Sequence, residues 1–228
     1  MIRKLSVQEL SELTSQDPSH ISQCNKDEMA IPSYLHKNPL IRWLMWRRYE
    51  YVASLAQFTN DMTVLEFGCG SGVFLPELAS ACGKVYAIDI FPEYAKALSA
   101  KLSLGTQFVD DLSEISAGSL DIVIAADVLE HIKDNELVEY LGTFSLKLKD
   151  AGRLIVSGPT ESIAYRVGRV AAGFGDKGDY HVSNINKLIR RIEDGGFHLA
   201  RQKTLPFRFP PFLFKVCEFK KRPAGGSS

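Results

Sequence analysis

Cysteines and long apolar segments are scarce in this sequence, and their scarcity excludes several classes of protein. The four cysteines, at positions 24, 69, 82 and 217, form no Cys-x-x-Cys pair, so we expect reduced thiols rather than a disulfide framework. No apolar run approaches the roughly 20 residues that span a bilayer, and the start, Met1 to Ser6, lacks the apolar core of a signal peptide. We therefore expect a cytoplasmic protein that is soluble or at most peripheral to a membrane.

The sequence also has no net charge. Its 27 basic and 27 acidic side chains cancel, so no global field attracts nucleic acid, and no nucleic-acid partner is expected. With 45% hydrophobic residues, the chain of 228 residues has an ordinary globular composition and the length for one well-buried core. We expect a loosely held N-terminal extension over residues 1–38, one domain over residues 39–222, and a disordered tail over residues 223–228.

The most informative stretch runs from Thr63 to Gly72 and reads TVLEFGCGSG. A short apolar run there predicts a buried strand, and three glycines follow it at alternate positions: Gly68, Gly70 and Gly72. Glycine is needed where the backbone takes positive φ or where a ligand approaches it closely. A dinucleotide fingerprint fails because its third glycine would fall on Val73, and a P-loop fails because no lysine follows. Glu66, at the end of the strand, suits a ligand with a cationic ammonium group.

An acidic residue ends the next predicted strand, Lys84 to Asp89. In a βαβ unit, an acid about 20 residues beyond a glycine loop reaches the two hydroxyl groups of a ribose. Asp89 could also cap the helix that begins near Pro92, because aspartate is a favoured N-cap. Both roles remain open at this point.

A helix with an arginine-rich face precedes the glycine loop. Apolar residues recur at steps of three and four between Pro39 and Ala56, which predicts an amphipathic helix. Its other face carries Arg42, Arg47 and Arg48 beside two tryptophans. Such a face could stack aromatic substrates, but we favour a helix that packs on the sheet and leaves its arginines solvated.

A fourth strand, Leu120 to Ala126, is followed by Asp-Val-Leu-Glu-His at positions 127–131. Taken in order, these motifs resemble those of the S-adenosylmethionine-dependent methyltransferases with a Rossmann-like fold, over residues 40–220. The small-molecule group that includes ubiquinone-biosynthesis O-methyltransferases is the most similar. The resemblance implies an α/β fold with helices on both faces of a seven-stranded, mostly parallel sheet. One strand is antiparallel, in agreement with two final strands that no helix connects.

The resemblance also implies the cofactor, S-adenosylmethionine, which leaves as S-adenosylhomocysteine. It implies that an acid after the third strand accepts a hydrogen bond from the adenine amino group, and that either Asp110 or Asp111 plays this part. The residues expected to bind the cofactor are Glu66, Gly68, Gly70, Gly72, Asp89, Ile90, Asp110, Asp111 and Asp127.

Methyl transfer depends mainly on the positioning of the reactants, but a hydroxyl acceptor also has to lose a proton. Histidine is the usual base near neutral pH, so the candidate catalytic residues are His131, His181 and, beside them, Asp127. Each histidine also has a structural interpretation. His131 could form a hydrogen bond with the backbone at a helix start, and His181 could be a hinge residue or make a cap contact beside Ser183.

A metal site is a further hypothesis. If a helical turn begins at Asp127, its side chain and those of Glu130 and His131 converge on one face and could bind a divalent cation together with His181. The resembling methyltransferases that bind metal carry glutamate where this chain has Asp127, whose reach is shorter. We favour a reaction without metal.

Residues 159–183 interrupt the alternation of strands and helices. A long irregular segment in a compact domain is more often a lid or binding loop than filler, so we expect this insertion to cover the substrate. We also expect Asp134 and Ser183 to cap the helices that follow them.

The strand-four exit lacks the Asn/Asp-Pro-Pro-Tyr of DNA amino-methyltransferases, so we expect a small-molecule acceptor and O-methylation of its hydroxyl group. One alternative is a lipid-linked quinone or sugar, methylated at a membrane surface that residues 205–222 contact. Another is a non-catalytic regulatory or scaffold protein that binds the cofactor. The sequence does not specify an oligomeric state.

Overall fold

A computed structural model describes residues 2–15, 31–162, 165, 183–206, 210 and 212–222 of this protein. The described helices are α1 (Val7–Ser15), α2 (Ile31–Tyr34), α3 (Pro39–Ala56), α4 (Leu75–Ala81), α5 (Glu93–Leu102), α6 (Asp134–Lys147) and α7 (Ile185–Asp194). The strands are β1 (Thr63–Phe67), β2 (Lys84–Ile88), β3 (Gln107–Phe108), β4 (Leu120–Ala126), β5 (Leu148–Pro159), β6 (Phe197–Leu205) and β7 (Phe214–Lys221). Single 3₁₀ turns lie at Leu112–Glu114 and Leu129–His131.

The strands form one sheet in the order β3-β2-β1-β4-β5-β7-β6. Neighbours are parallel from β3 to β5, and β7 is antiparallel to both β5 and β6. The predicted mostly parallel seven-stranded sheet with one reversed strand is therefore confirmed. The chain leaves β1 toward β2 on one side and returns to β4 on the other, so the strand order reverses between β1 and β4. Open α/β sheets bind ligands at such a switch point.

The sheet is buried on both faces, which explains the continuous apolar runs of its central strands. Alternate residues of β4 point to opposite sides, and accordingly Ile122 and Ile124 belong to one core cluster while Val123 and Ala125 belong to the other. The first cluster includes residues of α3, α4 and α5, and the second includes residues of α6 and α7. Helices therefore cover both faces, as predicted.

The predicted looseness of the N-terminal extension is wrong for the residues that the structure describes. Leu10 and Leu13 of α1 and Tyr34 of α2 are buried in the first core cluster. A hydrogen bond from Lys101 of α5 to Glu12 also ties α1 to the domain. The residues around them are mostly polar, so only the three-residue spacing of Leu10 and Leu13 indicates a buried helix face in the sequence. The boundary at residue 38 stays a prediction.

Both predicted helix caps are also wrong. Asn184 caps α7, since its Oδ1 accepts hydrogen bonds from the backbone N–H groups of Asn186 (3.1 Å) and Lys187 (3.2 Å). Asp134 lies inside α6 and forms an ion pair with Arg191 of α7. In both cases the helix begins one residue away from the expected position. The cap of α7 therefore passes to Asn184, whereas Lys133, at the N-cap position of α6, makes no side-chain cap hydrogen bond.

No helix within the described ranges is both long enough and apolar enough to cross a bilayer. In the described part of residues 205–222, the apolar side chains of Leu205, Phe214, Val216 and Phe219 are buried. They pack in the core instead of facing outward, so the membrane contact stays a prediction without support from these residues. Most of the predicted substrate cover, residues 159–183, lies outside the described residues.

Candidate active site

A cavity opens at the switch point, at the carboxyl ends of β1, β2 and β4. The glycine loop after β1 forms its floor, Asp89 and Ile90 follow β2, and Asp127 and His131 follow β4. Tyr34 of α2 and two residues of α3, Arg48 and Tyr49, form the opposite wall. The cavity therefore combines residues from the sheet with residues from the N-terminal helices.

All three glycines of the loop have positive φ: Gly68 at 76°, Gly70 at 52° and Gly72 at 75°. The N–H groups of Gly68 and Cys69 donate to the carbonyl oxygen of Ile88, over 2.9 and 3.2 Å, which binds the loop to the end of β2. A Cβ on Gly72 would lie 2.8 Å from Cα of Ala95 in α5. Backbone geometry and close packing both require glycine here.

Asp89 connects the two loops that border the cavity. Its Oδ2 accepts a hydrogen bond from the N–H of Gly70 (2.7 Å), and its Oδ1 accepts one from the N–H of Phe91 (2.9 Å). Pro92 occupies the N-cap position of α5, so the alternative that Asp89 caps this helix is wrong. Each carboxylate oxygen retains a lone pair, and the side chain borders the cavity.

Glu66 is placed differently from the sequence expectation. Its side chain is 1% exposed, and it is not among the described residues that line the cavity. Burial raises its pKa well above the ordinary value, and the nearby Asp89 raises it further. Glu66 shares a strand face with Val64, and α3 covers that face. The hydroxyl groups of Tyr34 and Tyr49, two residues that line the cavity, are close enough to interact electrostatically with this carboxyl group.

The two candidate adenine partners have different surroundings. The carboxylate of Asp111 caps a 3₁₀ turn by accepting from the N–H of Ser113 (2.7 Å), which lowers its pKa. Glu114 accepts in return from the N–H groups of Asp110 and Asp111. Asp110 is exposed. Neither aspartate is among the described residues that line the cavity, whereas Ile90, 82% exposed, does line it.

Arg48 is buried, so the prediction of a solvated face is wrong for this residue. It is 3% exposed, forms an ion pair with Asp127, and donates from Nη2 to the hydroxyl of Tyr34 over 3.1 Å. Its guanidinium lies 5.3 Å from the ring centre of Tyr49 and 5.6 Å from that of Phe214. The burial of Arg48 could have been predicted from its spacing in the sequence. Arg48 lies three residues after Met45 and four before Val52, on the apolar face of α3.

Asp127 is fixed by several contacts. Its φ is 55°, its N–H donates to the carbonyl oxygen of Ser157 (3.0 Å), and its Oδ1 accepts from the hydroxyl of Ser157 (2.7 Å). Arg48 pairs with its other oxygen. The carboxylate thus has a cationic partner, the guanidinium of Arg48.

The predicted metal ligands do not converge within the described part of the chain. No group of three or more His, Cys, Asp or Glu side chains there is suited to hold a metal ion. The segment after Asp127 forms one 3₁₀ turn instead of an α-helix, so the helical spacing of the sequence argument does not apply. Glu130 is buried and His131 is exposed at the cavity, while His181 lies outside the described residues.

Glu130 is the most unusual group near the cavity. It is 1% exposed, and neither carboxylate oxygen has a hydrogen-bond partner among the described residues. Burial raises its pKa to about 7; an interaction with its own backbone N–H and the charge of Arg48 oppose this rise, and Glu161 adds to it. The backbone N–H of the next residue, His131, donates to the carbonyl oxygen of Val128 (3.1 Å) within the 3₁₀ turn.

The sequence is similar to known proteins of one family. The sequence model of a family described as a methyltransferase domain matches residues 43–204. A ubiquinone biosynthesis O-methyltransferase of Xanthomonas axonopodis pv. citri is 31% identical over 117 residues, 48% of either chain. Its counterpart in Xanthomonas oryzae pv. oryzae is 30% identical over the same shares. The chain thus spans about half the length of the curated relatives it matches.

Solved structures show the same fold at low identity. The N-methyltransferase NodS from Bradyrhizobium japonicum, in complex with S-adenosyl-L-homocysteine, has a TM-score of 0.64 and 18% identity, covering 89% of this chain and 98% of that one. Magnesium protoporphyrin IX methyltransferase from Synechocystis, with the same molecule bound, has a TM-score of 0.58 and 20% identity, covering 93% and 92%.

Proposed function

The chain belongs to the methyltransferase domain family, and we propose that it transfers a methyl group from S-adenosylmethionine to a hydroxyl group of a small organic molecule. The observation that carries the proposal is the cavity at the switch point. A glycine loop with positive φ borders it on one side, and a buried arginine with two tyrosines borders it on the other.

The residues on the sheet side fit the cofactor. A Cβ on Gly68 would lie 2.5 Å from Cγ2 of Val128, a cavity residue, so glycine keeps this part of the cavity open. We assign the free lone pairs of Asp89 to the ribose hydroxyls, and the exposed side chain of Ile90 to the face of the adenine. Of the two candidates we assign Asp110 to the adenine amino group, since the carboxylate of Asp111 already caps a turn.

When bound, the cofactor supplies a methyl group on a sulfonium, which leaves by in-line displacement at carbon. The residues of this chain therefore have to orient the reactants and exclude water. Asp127 is suited to face the ammonium group of the cofactor, because Arg48 and Ser157 hold its carboxylate in one orientation. His131 lines the cavity and is our candidate for the proton acceptor. His181 remains a second candidate.

One observation favours a hydroxyl over an amine as the acceptor: the curated relatives named above are O-methyltransferases. The structural neighbours give no such guidance, since identities of 18% and 20% indicate fold alone.

The test is transfer of radiolabelled methyl groups to a matched set of acceptors: catechol, aniline and benzoate. Catechol should be labelled, with product mass increased by one methylene, and aniline and benzoate should not. Asp89→Ala should abolish the labelling, whereas Asp194→Ala, at the exposed end of α7, should preserve it. Labelling of aniline alone, or of no hydroxyl compound in a wider panel of phenols, would overturn the proposal.

A further inference from the structure

We propose that a second hollow, at the amino ends of β1 and β5, binds a phosphate group, either as inorganic phosphate or as part of a small phosphorylated molecule in solution. We call it the arginine hollow. Three cationic residues line it, Arg153, Arg201 and Lys220, together with one acid, Glu218. None of them lines the cavity of the active site, so the proposal does not depend on methyl transfer.

The arginine hollow is well separated from the active site. Met62, which precedes β1, lines it, and Arg153 lies beside Ile122 in the register of β4 and β5. Asp127, at the carboxyl end of β4, follows Ile122 by five positions. The rise of a strand makes this a distance of roughly 17 Å. A ligand in the arginine hollow therefore leaves the cavity at the switch point open.

The pairing of the last three strands brings the four charged side chains onto one face of the sheet. Arg153 of β5 lies opposite Lys220 of β7, and Glu218 of β7 lies opposite Arg201 of β6. Residues opposite each other, and residues two apart in one strand, share a face. This is the face on which α3 packs, because Arg153 and Arg201 both donate to the carbonyl oxygen of Leu55, over 3.1 and 2.6 Å.

The charges of the arginine hollow do not balance. Glu218 is 1% exposed, and its Oε1 accepts from Nη1 of Arg153 (3.0 Å) and Nη2 of Arg201 (2.9 Å), while its Oε2 accepts from Nε of Arg201. Three cations thus face one carboxylate, and the carbonyl end of α3 adds about half a negative charge. The excess is about one and a half positive charges. A phosphate monoester matches it, with a charge of about −1.5 to −2 at pH 7.

Donors remain for a ligand on all three cations. Nη1 of Arg201 and Nε of Arg153 donate no hydrogen bond to any residue that the structure describes. Lys220 is exposed and forms neither a hydrogen bond nor an ion pair with the described residues. Glu218 and the end of α3 hold the two guanidiniums in place, so these donors are oriented before a ligand arrives.

Phosphate fits these donors better than a carboxylate does. A phosphate group presents three acceptor oxygens, one for each cation, and guanidinium N–H groups match their geometry. A carboxylate presents two oxygens and a single charge. We therefore expect the arginine hollow to prefer phosphate to acetate.

The experiment is titration calorimetry of inorganic phosphate into the protein saturated with S-adenosylhomocysteine, which keeps phosphate out of the active site. Wild type should bind phosphate with a Kd of about 1 mM or tighter, and acetate more weakly. Lys220→Gln should weaken phosphate binding about fivefold, as expected for the loss of one exposed ion pair. Lys220→Glu should weaken it by more than about tenfold, because repulsion replaces attraction.

The matched controls are Lys187→Gln and Lys187→Glu. Lys187 is an exposed lysine of α7, which packs on the other face of the sheet, so both variants should bind phosphate as wild type does. The affinity for S-adenosylhomocysteine should be the same in all four variants, which shows that each has folded. Sedimentation with vesicles of phosphatidylcholine and phosphatidic acid distinguishes a soluble phosphate ligand from a lipid headgroup.

Three results of the calorimetry would overturn the proposal. These are no phosphate binding at concentrations up to about 10 mM, equal affinity in wild type and Lys220→Glu, and acetate that binds as tightly as phosphate. The first two are expected if the arginines serve only to hold the end of α3. Binding to the vesicles without binding of inorganic phosphate would also overturn it, since the ligand would then be a lipid.

Discussion

Replacing Glu130 by glutamine should change the pH dependence of folding stability. The pKa of Glu130 is raised from an ordinary 4.5 to about 7, and each pKa unit corresponds to about 1.4 kcal/mol. The ionised side chain therefore costs the fold roughly 3 kcal/mol. Because the native state binds the proton more tightly than the unfolded state, this group stabilises the fold fully below pH 4.5. The contribution is lost as the pH rises toward 7.

The measurement is urea denaturation of wild type and Glu130→Gln at several pH values, followed by tryptophan fluorescence. Glutamine does not titrate, so the stability of the variant relative to wild type should increase by about 2.5 kcal/mol between pH 5 and pH 8. Glu136→Gln, at an exposed position, should show a constant difference. A constant difference for Glu130→Gln as well would mean that its carboxyl has an ordinary pKa and is hydrated, which would refute the burial argument.

Three further predictions concern cofactor binding, the packing of the glycine loop and the metal. Asp89→Ala should weaken S-adenosylmethionine binding more than a hundredfold in calorimetry, since two hydrogen bonds to a charged group are lost; unchanged affinity would remove the ribose assignment. Gly72→Ala should lower the unfolding free energy by about 2 kcal/mol or more through positive φ and contact with α5. Gly142→Ala, a helical position with open space, should raise it by about 1 kcal/mol, and equal changes would contradict the packing argument. Dialysis against EDTA should leave methyl transfer unchanged, and loss of activity restored by magnesium would establish a metal site.

The fold could be predicted because its signals are local. Buried parallel strands read as continuous apolar runs, and β4 was expected at the bounds it has, Leu120–Ala126. Each of the three glycines of the loop has positive φ, and Gly68 and Gly72 also have no room for a Cβ. These features depend on neighbours in the sequence or on the adjacent strand, so they are visible without knowledge of distant contacts.

The wall of the cavity that α2 and α3 form could not be predicted in the same way, because it depends on which helix face packs against which strand end. Arg48 reads as polar and therefore as solvated, yet its position between Met45 and Val52 turns it toward the core. There it meets Asp127, a residue 79 positions later in the chain. Glu66 was expected to contact the ligand because it lies near the end of β1. That expectation could not take account of α3, which covers the face of β1 on which Glu66 lies. Hydrophobic periodicity cannot identify a buried charge whose partner comes from another element.

The family match covers only part of the cavity, and this limits what the relatives indicate about the substrate of this protein. The family match covers residues 43–204, and it therefore includes the glycine loop, Asp89 and Asp127. It excludes Tyr34, which binds Arg48, and Phe214, whose ring packs against the same guanidinium. The contacts that orient Arg48 thus come partly from outside the shared region. A relative can accordingly share the machinery for the cofactor and still hold a different acceptor, because the aromatic groups around this arginine are free to differ.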